Sequence, residues 1–231
     1  MKIPVIYEDN HLLVVEKPPN MLSQGDETGD VDLLSLLKQD LKVRYNKPGN
    51  VYLGLVHRLD RPVGGVMVFA KTSKAASRLT QQLRDNEFTR IYLAVVHGKP
   101  PQKDRLVHYL LKDRASNMVS VVEEGTPGAK PAVLEYEVLD TADRLSLVRV
   151  QLFTGRPHQI RVQFAALGHP VYNDHKYGLG YPITGDVIAL WSHKAEFNNP
   201  TRKERMSFTS FPKAIFPWTC FRPEPGPVET G

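Results

Sequence analysis

Cysteine is almost absent from this chain of 231 residues, where Cys220 is the only one. That excludes an internal disulfide framework and any zinc site built on several thiolates, and it fits a reducing compartment. Long apolar runs are missing too, since none approaches the roughly 18 residues needed to cross a bilayer. The opening MKIPVIYEDN is too polar for a signal peptide, so a cytoplasmic protein without membrane contact is expected. No internal repeat, Walker loop or Gly-x-Gly-x-x-Gly fingerprint occurs. His169, Asp174 and His175 stand close together but match no familiar ligand spacing, so no metal site is expected. What is present is an ordinary globular composition, 41% hydrophobic and 24% charged, with a net charge of +5. The positive balance tilts the reading toward a polyanionic partner.

The chemistry concentrates in GLVHRLDRPVGGVMVFAK, residues 54–71. Short apolar stretches at 53–56 and 66–70 read as strands on either side of a loop, His57-Arg58-Leu59-Asp60-Arg61. An acid between two arginines has its anionic form favoured by both. That suits a carboxylate nucleophile or a charge stabiliser, and not a general acid that must stay protonated. Gly64-Gly65 lets the backbone turn tightly or lie close to a ligand. On these residues alone, a solvated Arg-Asp-Arg cluster on a hairpin is an equally open reading.

Around this centre the patterns alternate between short strands and a few helices. Strands are expected near 5–7 and 12–15, across the turn Glu8-Asp9-Asn10. Residues 23–29 read as a mobile polar loop. Asp30 is placed to cap a helix over 31–44 whose buried face carries Leu33, Leu34, Leu37 and Leu41. Ser73 is placed to cap a second helix through 84, with Ala76, Leu79 and Leu83 inward and Lys74, Arg78 and Gln82 on another, basic face. Strands follow at 87–98, 106–111, 118–122, 132–139 and 145–152. In the first of these, Tyr92 shares a face with Arg90 and Ala94. A third helix runs from Pro157 to about Leu167 and stops at Gly168. Its buried stripe is Ile160, Phe164 and Leu167, and His158 and Arg161 lie on another face. A strand at 187–191 and a Pro-rich, disordered tail at 222–231 complete the chain. Many short strands without long helical crossovers point to an α+β protein with a mainly antiparallel sheet.

Three separated stretches, in this order, resemble the RluA-type pseudouridine synthases: HRLDR with its glycines and the strand ending Phe-Ala-Lys, then RIYLAVVHG at 90–98, then TGRPHQIR at 154–161. The entry VIYEDNHLLVVEKP, the loop GHPVYNDHKYG and the closing segments 193–200 and 206–212 are similar to that family as well. The resemblance implies an α+β pseudouridine synthase fold, a bent, mainly antiparallel mixed sheet flanked by helices. It also implies one catalytic domain over 1–221, with no room ahead of it for an S4 RNA-binding module. By resemblance Asp60 is the nucleophile, Arg161 its ion-pair partner, and Tyr92 the residue that stacks on the target base and serves as general base. Arg58 then belongs to base flipping, and His57, Arg61, Arg156, His158 and Gln159 contact RNA. The implied reaction isomerises uridine to pseudouridine in rRNA or tRNA by a monomer without metal or organic cofactor. Asp60 attacks either the ribose C1′, with a glycal as one variant, or the uracil C6. The chain departs from the family's pattern at Val63-Gly64-Gly65, where Thr-Ser-Gly is usual, at Gln163, where a second histidine is usual, and at Asn173, where glycine is usual. Two other classes are weighed beside it. One is a catalytically silent RNA-binding protein of the same fold. The other is a nucleoside or glycoside hydrolase, which would need a second carboxylate, with Asp174 the candidate.

Overall fold

The two ends of the apolar hairpin Val5–Glu8 (β1) and Leu12–Lys17 (β2) are joined as expected by a turn in which Asp9 accepts from the amides of His11 and Leu12, each at 2.7 Å. The computed structural model describes residues 2–202 and 204–221, so the tail at 222–231 lies outside the described residues. The remaining strands are Gly54–Leu55 (β3), Gly64–Ala70 (β4), Thr89–His97 (β5), Lys103–Asp113 (β6), Met118–Val122 (β7), Lys130–Ala142 (β8), Leu145–Leu152 (β9), Leu190–Asn198 (β10) and Arg205–Thr209 (β11). They form one 11-stranded sheet in the order β1-β2-β4-β10-β5-β9-β8-β6-β7, with β3 pairing β4 and β11 pairing β10. Among the described strands, the two-residue contact of β4 with β10 is parallel and the other pairings are antiparallel. The expected class, α+β with a mainly antiparallel mixed sheet, is the one observed. The expected strand at 187–191 instead starts at Leu190 and runs on into the segment beyond it as β10.

Three helices cover the sheet: Leu33–Arg44 (α1), Ser73–Arg84 (α2) and Gln159–Ala166 (α3). Leu33, Leu37 and Leu41 of α1 and Ile160 and Phe164 of α3 pack on one face, against Met67, Phe69, Tyr92 and Val150. Ala75 and Leu79 of α2 pack on the other, against Val66, Val68, Phe88 and Phe197. Both expected caps are displaced. The N-cap of α1 is Asp32, whose side chain accepts from Ser35 N at 3.0 Å, and Asp30 pairs with Arg61 at 2.6 Å. The N-cap of α2 is Thr72, which accepts from Ala75 N at 3.2 Å. In each case the neighbouring polar residue sits one or two positions off the point where the backbone leaves extended geometry. Gln82, expected on a basic outer face, is buried. It donates to Asn198 O at 2.8 Å and accepts from Asn198 N at 2.7 Å, tying α2 to the end of β10. Helix α3 starts later than Pro157, because His158 adopts a left-handed backbone, φ 53°, and serves as N-cap. It is buried on nearly all sides rather than along one stripe, Gln159 to Phe164 without interruption.

Gly64 and Gly65 let strands meet, not strand and ligand. A Cβ on Gly64 would lie 2.3 Å from the Trp191 ring, and one on Gly65 would lie 2.2 Å from the backbone oxygen of Ser192. Gly65 also has φ +117°, outside the range of ordinary side chains. Beyond this contact the two strands share no further pairing, and β3 pairs the far end of β4. Gly65→Ala is therefore expected to cost at least about 3 kcal/mol in denaturant unfolding. Gly49→Ala, with nothing within 4 Å of its Cβ, is the control and should change stability little.

Candidate active site

The loop His57–Arg61 is held at four of its five residues, each by a different part of the chain. His57 Nε2 accepts from Val68 N at 3.1 Å. The Ser23 hydroxyl donates to Leu59 O at 2.7 Å and receives Leu59 N at 3.1 Å. Lys17 Nζ donates to Arg61 O at 3.1 Å, and also to Pro18 O at 3.0 Å and Met21 O at 2.6 Å. Arg161 Nη1 meets Asp60 Oδ2 at 3.2 Å. Ser23, read as the start of a mobile loop, is thus a buried clamp. Lys17 is fully buried, and all three of its N–H donors are spent on carbonyls, as an ammonium's would be. Burial pushes its pKa down to about 7, with the Asp60 carboxylate pulling the other way.

Asp60 is the fourth residue of this loop, its side chain 27% exposed. Its cationic partner is not a flanking arginine. Arg61 is turned away to Asp30, and Arg58 is exposed with no partner among the described residues. The partner is Arg161, as the resemblance implied. Arg161 is itself fixed by Asp174, which takes Nε at 2.8 Å and Nη2 at 2.6 Å in a bidentate pair. The Asp174 side chain has no exposed surface and also accepts from the amides of Lys176 and Tyr177. It is an anchor for Arg161, so the hydrolase reading loses its candidate second acid. Tyr177 lies under the guanidinium, 5.2 Å from ring centroid to Cζ. Among the described residues no hydrogen bond engages Asp60 Oδ1, so one carboxylate oxygen is oriented by the pair and the other is left unbonded.

Tyr92 stands in the middle of β5, opposite Ser192, where β10 carries an extra residue between Ser192 and Lys194. It is 6% exposed. Burial pushes its phenol pKa up, Arg90 pulls it down, and Asp60 adds to the rise. A phenol so placed is protonated at neutral pH. Tyr92 therefore enters any reaction as a neutral phenol.

His158 Nδ1 lies 2.7 Å from the Tyr177 hydroxyl, which also receives Val119 N at 3.0 Å. The hydroxyl has one proton to give, and giving it to Nδ1 leaves the imidazole neutral with Nε2–H outward. Burial lowers the His158 pKa, and Asp60 raises it, which places this ring within the field of the carboxylate. Two other expected RNA contacts are occupied inside the protein. Gln159 is buried, accepting from Thr154 Oγ1 at 2.7 Å and Arg156 N at 3.0 Å and donating to Val133 O at 3.1 Å. The His57 ring turns inward onto Phe88, and burial with the nearby Arg90 charge drives its pKa down to about 3. Arg156 donates through Nε to Pro131 O at 2.8 Å. Gln163, in the position of the usual second histidine, is fully buried and donates to Leu106 O, Ala132 O and His108 Nδ1. Val63 is likewise a core residue, so the usual hydroxyl there is replaced by packing. Sequence reasoning missed Lys17, Ser23, Tyr177 and the anchoring role of Asp174. A lysine closing an apolar strand before Pro18-Pro19 was the one local signal, because a charge there needs partners. Among the described residues no cluster of three or more His, Cys, Asp or Glu side chains is arranged to hold a metal ion. No described helix is long and apolar enough to cross a membrane.

Residues 11–166 match the family model described as RNA pseudouridylate synthase. An uncharacterized RNA pseudouridine synthase of Bacillus subtilis (strain 168) is 34% identical over 207 residues, covering 88% of this chain and 66% of the relative. A ribosomal large subunit pseudouridine synthase C of Vibrio vulnificus (strain CMCP6) is 33% identical over 216 residues, covering 89% of this chain and 64% of the relative. The chain thus spans about two thirds of the length of these curated relatives. In fold it is similar to human RNA pseudouridylate synthase domain containing 4, with a TM-score of 0.76 at 21% identity over 94% of this chain and 90% of that one. Human RNA pseudouridylate synthase domain containing 1 gives a TM-score of 0.72 at 24% identity over 96% and 89%. The sheet with its flanking helices is the pseudouridine synthase fold, and the chain belongs to the RNA pseudouridylate synthase family.

Proposed function

We propose that this chain isomerises uridine to pseudouridine in rRNA or tRNA, with residues 1–221 acting as one catalytic domain, as a cytoplasmic monomer. The observation that carries the reading is the ion chain Asp60–Arg161–Asp174 set beside Tyr92 in the opening of the sheet. The reaction balances without water or electrons. The bond from C1′ to N1 breaks, a bond from C1′ to C5 forms, C5 gives up a proton and N1 gains one. A carboxylate fixed through one oxygen and free at the other suits nucleophilic attack. A base within folded RNA must leave its stack to reach it. Arg58, exposed and uncommitted, is the side chain free to enter the vacated space. The flipped ring stacks on Tyr92, which also carries the proton. Since Tyr92 starts as a neutral phenol, it gives its own proton to N1 as the bond to C1′ breaks and then takes the one from C5, so the proton count closes. His158, with Nε2–H outward beside Asp60, contacts the same nucleotide.

Product analysis separates this reading from the others: pseudouridine supports it, free uracil identifies a hydrolase, and no change identifies a silent binding protein. Asp60→Asn should abolish tritium release from C5-labelled uridine in cellular RNA while leaving the fold intact. Wild-type turnover by that variant would remove the nucleophile assignment. Tyr92→Phe keeps the aromatic face and should bind RNA almost normally, with single-turnover rate lowered roughly 10²-fold. Tyr92→Leu should also lose affinity, since stacking is worth on the order of 1–3 kcal/mol per base. Asp174→Ala leaves Arg161 half-compensated in a buried site and should lower unfolding free energy by about 3–5 kcal/mol. An Asp174→Ala protein as stable as the parent would show that Arg161 is oriented by something else.

A further inference from the structure

Arg90 precedes Tyr92 by two residues on β5, so both side chains leave the same face of the strand. Arg161 is spent on two carboxylates and Arg61 on Asp30, and Arg58 is exposed to solvent. Arg90 is not spent in this way. Its Nε is enclosed without a partner, and no hydrogen bond or ion pair among the described residues reaches either Nη. Burial lowers its pKa, yet a guanidinium remains charged throughout the physiological range. A half-buried cation without a counter-charge is a standing cost in the free protein. Its neighbours do not relieve that cost, for the Tyr92 phenol and the His57 imidazole are both neutral.

What lies beside the guanidinium is the bare backbone of Gly155. A Cβ on the exposed Gly155 would fall 2.6 Å from Arg90 Nη1, so the missing side chain is what leaves room there. The next residue, Arg156, commits Nε to Pro131 O and has no partner for its Nη atoms among the described residues. Arg90 thus sits against the one residue of the turn 154–156 that has no side chain, within the field of Tyr92, and Arg156 is next in the chain. The planar fork of an arginine matches two oxygens of one phosphate. A nucleotide flipped onto Tyr92 carries a phosphate on each side of its ribose. We propose that Arg90, seated against Gly155, binds a backbone phosphate flanking the target uridine and so fixes the ribose over Asp60, an assignment that rests on the RNA function proposed above.

The test follows the binding of a short oligouridylate against salt, in the Asp60→Asn background so that no turnover intervenes. Arg90→Gln should weaken binding about tenfold at low salt and lower the slope of log K against log salt by about 0.7, one phosphate's share on a single strand. Gly155→Ala keeps every charge and only displaces the flexible end of Arg90. It should weaken binding in the same direction with an unchanged unfolding midpoint. Parental affinity and slope in Arg90→Gln overturn the inference. Should that variant fail to fold, parental binding by Gly155→Ala overturns it instead. An Arg90→Gln change that moves the pH profile of turnover in the Asp60 protein while leaving oligouridylate affinity and slope untouched assigns Arg90 to the phenol of Tyr92, and the phosphate contact falls. A parent protein whose binding ignores salt overturns the RNA reading as well, which is distinct from a salt-dependent parent whose slope is indifferent to Arg90.

Discussion

Everything in the site depends on keeping a carboxylate charged while most of its hydration is removed. Removing a charge from water costs several kcal/mol unless a partner and hydrogen bonds replace the lost solvent. Asp60 is supplied with one partner, and that partner is more deeply buried than Asp60 itself, 5% against 27% exposed. Arg161 would therefore be the greater liability were it not gripped from behind by Asp174 and covered by the Tyr177 ring. Two acids and one guanidinium leave an excess negative charge, and Lys17 lies close enough to Asp60 for each to act on the other. With it the formal charges of the cluster sum to zero. Lys17 spends all three of its donors on carbonyls and Arg161 three of its five on carboxylates, while no hydrogen bond among the described residues engages Asp60 Oδ1.

The loop that presents Asp60 shows how such precision is reached without regular structure. Between β3 and β4 the backbone of 57–61 has no strand partner. Its geometry is set by a serine, a lysine and an arginine drawn from three places far away in sequence, and by its own histidine closing onto Val68. Each contact is directional, so together they fix the orientation of the carboxylate more tightly than packing alone would. Leu59 and Val63 then pin the same loop from the core side.

This also explains what was legible in the sequence. Strands such as β5 and β9 and the stripe Leu33, Leu37, Leu41 are local patterns, and they were read correctly because side-chain periodicity is a local property. Asp60, Tyr92 and Arg161 were reached through motif resemblance, and the structure brings all three to one opening. Errors gathered where the decisive contact is distant in sequence. Arg61 neighbours Asp60 in the chain yet pairs with Asp30, because the turn from Asp60 to Val63 points it outward. Gln82 looked like part of a polar helix face because nothing nearby reveals that Asn198 requires both a donor and an acceptor. Gln159 carries the polarity of a ligand-binding residue but uses it to fasten α3 to β8 and the 154–156 turn. The caps Asp32 and Thr72 were missed by one or two positions, since several capping residues stand in a row and only backbone geometry chooses among them.

The opening itself has a physical cause. Strands β4 and β10 touch in parallel only at Gly64 and Gly65, where the absence of two side chains lets Trp191 and Ser192 approach. Past that contact they diverge, and a divergence inside a sheet strands backbone groups that must find other partners. Ser192 Oγ answers Val66 O at 3.0 Å, and His57 Nε2 answers Val68 N at 3.1 Å. The inward turn of His57 is therefore part of the same solution, and its low pKa follows from it, because an imidazole must be neutral to accept that amide. The bulge of β10 next to Ser192 re-aims the strand at the same level, which is where Tyr92 stands. The glycine pair thus lets Trp191 and Ser192 close on β4, and Ser192 Oγ and His57 Nε2 bond the edge groups that the parting strands leave.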